Sequence, residues 1–396
     1  MKGAAGRTKK IPEAPIQKIL STARNIGNAI SLGQGVPFFP PPPEVVSALM
    51  KSAGEGGFRY SEDAGILSLR NAIVEKVREE NGIRCSVESI MVTAGGNQAF
   101  VNALLAITSP GDEVILVAPY YFNHLMAIQM VGCRPRIVEV GSNFLPDPEK
   151  IEEKITRRTR AVVTVSPNNP AGVVYPSDLL SEINEICADH HIYHISDEAY
   201  EHFVFDEASH FSPASRDSAL DHTITLFSFS KSFGMGGYRV GYMVFPPALF
   251  QELLKIQDTI GICPPVPSQH AAEAALRYGK KYPEIYLPRM DKIRRKFLEH
   301  LKSLNLEISR SNGAFYIYLR IPLKGMERVD DWKLAIQLIE DFGVIALPAS
   351  IFGDRYPGFR LSFGNVDEEK GEEGIKRFVS GLMSLCPWSV SPKDTG

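Results

Sequence analysis

The 396-residue chain has no charge of one sign to spare: 43 Lys and Arg stand against 46 Asp and Glu, a formal net charge of -3. A protein that neutralises many nucleic-acid phosphates needs a basic excess, so nucleic acid is not the expected partner. Cysteine is scarce and scattered, at Cys85, Cys133, Cys187, Cys263 and Cys386. An odd number without a C-x-x-C pair argues against a disulfide framework or a zinc ribbon and fits a reducing compartment. No stretch approaches the roughly 18 uninterrupted apolar residues of a membrane span. The basic start, MKGAAGRTKK, is followed by no apolar segment of the kind a secretory signal carries. The expectation is a soluble, cytoplasmic protein without membrane contact. Internal repeats are absent, and no disordered tract is expected beyond the extreme ends.

At roughly 150 residues per domain, this length suits two or three domains, or one large α/β unit with a smaller partner. Between Ser89 and Pro246 seven β-type runs alternate with helical stretches: 89–95, 113–121, 134–141, 160–167, 192–200, 223–231 and 239–246. Such alternation predicts an α/β fold with a mostly parallel seven-stranded sheet and helices on both faces. Several runs end in polar clusters (AGGN, SPNNP, SDEAY, SFSKSFG), and open α/β sheets bind ligands outside the carboxyl ends of their strands. Beyond a long helical stretch over about residues 268–304, LEISRSNGAFYIYLRI, a helix near 331–342, GVIALPASIFG and FRLSFG suggest a smaller α+β unit. Upstream, Pro40 to Pro43 read as a rigid crossing loop in preference to an SH3-type ligand.

Lys231 closes one run inside SFSKSFGMGGYRVGY, with Ser228, Ser230 and Ser232 around it and Arg239 eight residues on. Taken singly it reads as a solvated charge. Hydroxyls, close-packing glycines and an arginine together suggest an anion held beside an amine. Gly95, Gly96 and Asn97 lie between a strand and a helix, where free N–H groups and the helix dipole favour a phosphate. Asp197 ends a run suited to burial, so its carboxylate wants a buried cation. A pyridinium nitrogen would be one, and the carboxylate would keep that ring electron-accepting. Tyr200 and Asn169 can hydrogen-bond a phenolate oxygen on the same ring, and Tyr121 can stack on its face. NNP and PAG are also ordinary turn signals, and tyrosines near strand ends mostly pack; the joint set is what packing explains poorly.

With GQGVP, RYSEDAG, VTAGGNQA, SPNNPAG, SDEAYE, SFSKSFGMGGYRVGY, SNGAFY and FRLSF in order, the chain resembles, over nearly its whole length, the class I/II aminotransferases among the fold-type I pyridoxal-phosphate enzymes. The resemblance implies pyridoxal 5′-phosphate as cofactor. It makes Lys231 the Schiff-base lysine, Asp197 the partner of the pyridine nitrogen, and Asn169 and Tyr200 the holders of the ring hydroxyl. Tyr121 stacks on the ring, while Gly95, Gly96, Asn97, Ser228 and Arg239, with Ser230 as a weaker candidate, hold the phosphate. Arg360 clamps the substrate α-carboxylate with help from Asn169 and the backbone at Gly35. Tyr60 matches a tyrosine that reaches the neighbouring subunit's phosphate, which implies a homodimer with shared sites. Lys231, Asp197 and Tyr200 are then the catalytic set, in a ping-pong exchange between amino acids and 2-oxo acids. The expected division is a segment 1–45 joining a small domain, a large cofactor domain 46–290, and the carboxyl-terminal small domain 291–396.

Three other readings are open. His190, His191 and His194 in HHIYH could suggest a metal, but they enter a strand whose alternate side chains diverge, and no metal is expected. A lyase or synthase on the same fold shares many motifs. A non-catalytic sensor would need a DNA-binding module, for which motifs beginning by residue 33 leave no room. Dicarboxylate-specific relatives place a lysine at the position of Asn97, or an arginine in the loop matching TIGICPPVPSQ, and neither is present. Phe38, Phe39 and Ile262 suggest an apolar side-chain pocket instead, favouring aromatic or methionine-like donors. Phe38 and Phe39 as a merely packed loop is the competing reading, and an aspartate-type or broad-range enzyme is the alternative function.

Overall fold

The computed structural model describes residues 3–23, 26–322 and 329–386. The expectation about the extreme ends concerns residues 1–2 and 387–396, outside the described residues. All seven β-type runs form strands of one sheet, ordered from one edge Ile90–Thr93, Gly241–Val244, Thr223–Ser228, Tyr193–Asp197, Thr159–Val165, Glu113–Ala118 and Arg134–Glu139. The pairings are parallel except around Gly241–Val244, which runs antiparallel to both neighbours.

The central strands are buried on both faces because helices cover both, and they are mostly apolar, with Thr164, His194, Ser196 and Thr225 as buried polar exceptions. Val114 and Leu116 enter a core with Phe100, Leu104 and Ile128, whereas Ile115 and Val117 enter the opposite core with Val138 and Ile183. Register then places the site. Val165, Asp197 and Leu226 form one row across three strands, and Thr93, Gly241 and Ser228 form a second. Both rows lie at the carboxyl ends of the parallel strands. The antiparallel strand contributes its amino end there, which brings Arg239 to the same rim.

A second sheet, antiparallel, has the order Leu347–Pro348, Gly358–Ser362, Tyr316–Arg320, Glu307–Ile308. The amino-terminal segment reaches this region through the parallel pair Ile30–Ser31 and Val344–Ile345. Helix Asp331–Phe342 lies where expected, opened by the Asp330 carboxylate, which accepts from the N–H groups of Trp332 and Lys333, and closed by Gly343 at φ +62°. The long helix expected over 268–304 is corrected to three, Val266–Leu276, Lys281–Glu284 and Leu287–Leu301. Gly279 at φ +53° turns the chain out of the first, and Pro288 opens the last, where its missing N–H costs nothing.

Candidate active site

A cavity of about 360 Å³ opens where the strand ends meet the second sheet. Its lining includes Gly35, Gly96, Asn97, Tyr121, Asn169, Asp197, Tyr200, Ser228, Ser230, Lys231, Arg239 and Arg360. Twelve of the fifteen residues singled out as binding or catalytic therefore converge. Gly95 lies immediately behind, at φ +87°, where an added Cβ would come within 2.6 Å of Arg239 Nη2.

Lys231 is delivered by a single helical turn, Phe229–Ser232, and not by the strand itself, which ends at Ser228. The Ser228 hydroxyl caps that turn, accepting from the Ser230 N–H at 3.2 Å. Lys231 Nζ donates to the Gly35 carbonyl at 2.7 Å and lies 5.7 Å over the Tyr200 ring. Burial pushes its amine down, Arg360 and Arg239 push it further, and Asp197 opposes them, leaving a pKa of about 8. The loop carrying Gly35 is pressed onto this turn by Gly234, at φ +64°, where any Cβ would meet the Phe39 carbonyl at 2.6 Å.

Asp197 accepts from the Ala199 N–H at 3.1 Å and pairs with His124 Nε2 at 3.1 Å. His124 is buried on the helix Phe122–Met130, against the Phe100 ring at 4.1 Å. Nothing in the sequence links His124 to a strand end seventy-three positions away, and it escaped the sequence reading. Across the cavity, helix Gly96–Ile107 begins with two lining residues, so the N–H groups that a first turn leaves unpaired lie at the wall. Arg239, beside them, is held at φ +53°, a strained backbone for a non-glycine residue. Its Nη1 donates to the Gly236 carbonyl at 2.9 Å and its Nη2 to the Ala94 carbonyl at 3.2 Å. Asn123 donates to the Tyr121 hydroxyl at 2.8 Å, which steadies that ring at the cavity wall.

Arg360, in strand Gly358–Ser362, is 1% exposed. Nη1 donates to Asn169 Oδ1 at 2.8 Å and Nη2 to the Gly33 carbonyl at 2.6 Å, while Nε has no partner. A buried guanidinium with an unpaired donor and, among the described residues, no carboxylate paired with it is built to receive an anion. Tyr316 was also missed: its ring lies 4.2 Å under the Arg360 guanidinium and its hydroxyl is 2.5 Å from that of Tyr200. SNGAFY had been read only as a motif, and which of its side chains faces the cavity depends on strand pairing.

Two expected residues stand apart. Tyr60 is 78% exposed and outside the cavity. Phe38 packs edge-on against Phe39 and Tyr286, with the Arg289 guanidinium 4.6 Å from its ring, and does not line the cavity. Ile262 is likewise outside it. The apolar lining comes instead from Ile16 and Leu20, on helix Pro15–Ala23, together with Val36. A second, apolar cavity of about 250 Å³, lined by Phe100, Val101, Met126 and Met130, shares Asn97 with the first. The three histidines of HHIYH diverge. His190 pairs with Glu152 at 2.9 Å, His191 lines a surface crevice, and His194 is buried between Thr164 and Asn184. Burial, with His222 nearby, pushes His194 down to about 3, so it is neutral.

Residues 27–378 match the family model for aminotransferase class I and II. A probable aspartate/prephenate aminotransferase of Thermus aquaticus is 34% identical over 398 residues, covering 97% of this chain and 100% of its own. An aromatic aminotransferase of Arabidopsis thaliana is 35% identical over 379 residues, covering 93% of both chains. Among solved structures, the aspartate aminotransferase from Thermus thermophilus with maleate is similar at a TM-score of 0.90 and 32% identity, over 96% of this chain and all of its own. The aromatic aminotransferase from Pyrococcus horikoshii gives 0.85 and 31%, over 93% and 99%.

Proposed function

The chain belongs to the class I and II aminotransferases, and from that premise we propose that it moves the amino group of an L-amino acid with an aromatic or methionine-like side chain to a 2-oxo acid, in two half-reactions. The cofactor of this family is pyridoxal 5′-phosphate, and the cavity fits it. Lys231 offers a buried amine, Gly95, Gly96, Asn97, Ser228 and Arg239 offer a phosphate cradle, and Asp197 braced by His124 offers a carboxylate to the ring nitrogen. Tyr200 and Asn169 would hold the ring hydroxyl and Tyr121 its face. When bound, the group supplies an aldehyde that accepts the amine and a ring that accepts electrons.

The chain's own residues do the rest. Arg360 takes the α-carboxylate on its free Nε edge, with Asn169 holding the guanidinium plane. Orientation by that pair presents Cα–H to Lys231. Lys231 Nζ is neutral near physiological pH often enough to take the Cα proton and return it. Helix Pro15–Ala23 covers the cavity with Ile16 and Leu20 and limits water.

The observation that carries donor choice is the cation inventory of the lining: Lys231, Arg239 and Arg360 already have roles, and among the described residues no fourth lines it. A distal carboxylate left unpaired there costs several kcal/mol, while an apolar side chain gains about 1.5–3 kcal/mol from burial. Both terms point the same way, so phenylalanine should exceed aspartate by at least about 100-fold in kcat/KM. An amino-donor panel with 2-oxoglutarate and phenylpyruvate as acceptors tests this, and equal turnover of aspartate would sink it. The second reading, an aspartate-type enzyme, is favoured by the names of several relatives and needs a cation brought from outside this cavity.

A homodimer belongs to the same proposal. Tyr60, Phe58, Met50 and Ile260 are exposed large apolar residues. The loop bearing the first two lies against helix Val266–Leu276, with Gly57 at Pro267 and Ser61 accepting from Gln269. Division near residues 45 and 290 is supported by Arg360 and Tyr316 coming from one sheet and Asp197 and Ser228 from the other. No helix among the described residues is long and apolar enough to cross a membrane. A cytoplasmic location is supported by Cys85, Cys133, Cys187 and Cys263, none of which forms a disulfide.

A further inference from the structure

Tyr316 has no part in the roles above, yet its phenol sits where three of them meet. Its hydroxyl is 2.5 Å from that of Tyr200. A methyl group on Gly35, whose carbonyl accepts from Lys231, would collide with it. The Arg360 guanidinium lies 4.2 Å from its ring centre. Both phenols are buried away from water.

Two hydroxyls that share one hydrogen bond carry two protons, so one donates inward and the other keeps its O–H free for the cavity. Burial raises both phenols, and the adjacent Arg360 cation opposes that rise at each of them. A Tyr200 that gives its one proton to the ring oxygen of the cofactor can only accept from its neighbour, so in the loaded site Tyr316 is the donor between the two hydroxyls. Chains of this kind polarise each other, so a stronger donation from Tyr316 makes Tyr200 the stronger donor in turn. The other charged or titratable groups facing the pair are Tyr121, Asp197, Lys231 and Arg239.

We propose that Tyr316 is a positioning residue that couples the arrival of a carboxylate at Arg360 to the strength with which Tyr200 donates to the ring oxygen of the cofactor. A carboxylate offsets the guanidinium charge above the Tyr316 ring. Tyr316 then donates less strongly, Tyr200 follows, and the ring oxygen becomes more basic. The site thus senses a correct ligand before any proton leaves Cα. This rests on the cofactor reading given above.

The test is a spectroscopic pH titration of the cofactor-loaded protein, without turnover, with and without saturating 3-phenylpropionate, a carboxylate that has no amino group. In the unaltered protein the ligand should raise the midpoint of the absorbance change. Tyr316→Phe keeps the ring under Arg360 and removes only the hydroxyl, and should cut that rise by at least half. In a Tyr200→Phe background, Tyr316→Phe should make no further difference, because the relay has already been cut. An equal rise in the unaltered protein and Tyr316→Phe overturns the coupling alone, as does a full-sized further effect in the Tyr200→Phe background. A protein that shows no titrating band with the cofactor overturns the cofactor reading and the coupling with it.

Discussion

The Lys231 amine offers the most direct physical test, because its reactivity can be measured before any cofactor is added. Burial and the two arginines move it from 10.5 to about 8, and at about 1.4 kcal/mol per unit that difference is roughly 3 kcal/mol. At pH 7.5 roughly a quarter of Lys231 is then neutral, against about one part in a thousand for an ordinary lysine. Limiting trinitrobenzenesulfonate on the cofactor-free protein should label Lys231 first, with a rate that climbs to a plateau around a midpoint of about 8. Peptide mapping identifies the site. Arg360→Gln removes one cation and should raise the midpoint, yet leave it below 10.5, because burial is the larger cause. Linkage supplies a second readout: between pH 8 and 10.5 the unfolded chain holds a proton that the fold does not. Stability of the cofactor-free protein should therefore rise with pH through that window, by up to about 3 kcal/mol, other groups aside. A midpoint at 10.5, or labelling spread evenly over the lysines, would refute the burial argument and with it the account of Lys231 as a base.

Arg360→Ala should lower kcat/KM by about 30-fold to several thousand-fold, the 2–5 kcal/mol typical of a buried charge-pair partner. All donors should suffer alike in steady-state kinetics, since all share the α-carboxylate, and loss confined to one donor class would contradict its role. Asn97→Lys places a cation at the mouth of the cavity, where Asn97 is exposed. A surface-scale pair of about 0.2–1 kcal/mol predicts up to fivefold better use of aspartate relative to phenylalanine, and an unchanged ratio would show that the side-chain end of the substrate lies elsewhere. Burial would raise Glu201, but Lys76, His202 and His210 outweigh it and hold the carboxylate at about 2. Glu201→Gln should cost up to about 3–5 kcal/mol in urea melts, because buried Lys76 keeps only Asn81 at 2.9 Å and the Glu80 carboxylate at 3.7 Å. The missing stability is the part present above the ordinary 4.5 and lost as pH falls through about 2, so the variant should lose less on acidification. Sedimentation at low concentration should show a dimer and Tyr60→Phe should mainly weaken cofactor retention; a fully active monomer would rule out sites shared between subunits.

Where side chains repeat with a strict period, little was left for the structure to add. All seven strands of the large sheet could be read from β-type runs, several of them apolar and β-branched, because a strand covered on both faces is mostly apolar. Helix Asp331–Phe342 announced both its ends through Asp330 and Gly343. The stretch over 268–304 misled for the converse reason. Its apolar period continues through Gly279 and Pro288, and only the backbone conformation shows that the axis turns there.

The site divides along the same line. Lys231, Asp197, Asn169 and Arg239 belong to short motifs whose chemistry is local, and residue order alone determined them together with the class of cofactor they suit. His124 behind Asp197, Tyr316 beneath Arg360, and Ile16 and Leu20 over the cavity became visible only after folding. These contacts bridge large gaps in the chain, and each depends on strand register or on the path of a loop, to which a single side chain carries no local clue. Phe38 shows the opposite error. Its neighbours in sequence touch the cavity, while its own ring turns away to Phe39, Tyr286 and Arg289, because an aromatic cluster buries it better than a half-solvated rim. Sequence by itself therefore determined the reaction class and a set of polar side chains that the fold brings to one cavity. Tertiary packing decided which further side chains line that cavity and brace the set, because those contacts depend on register and loop path.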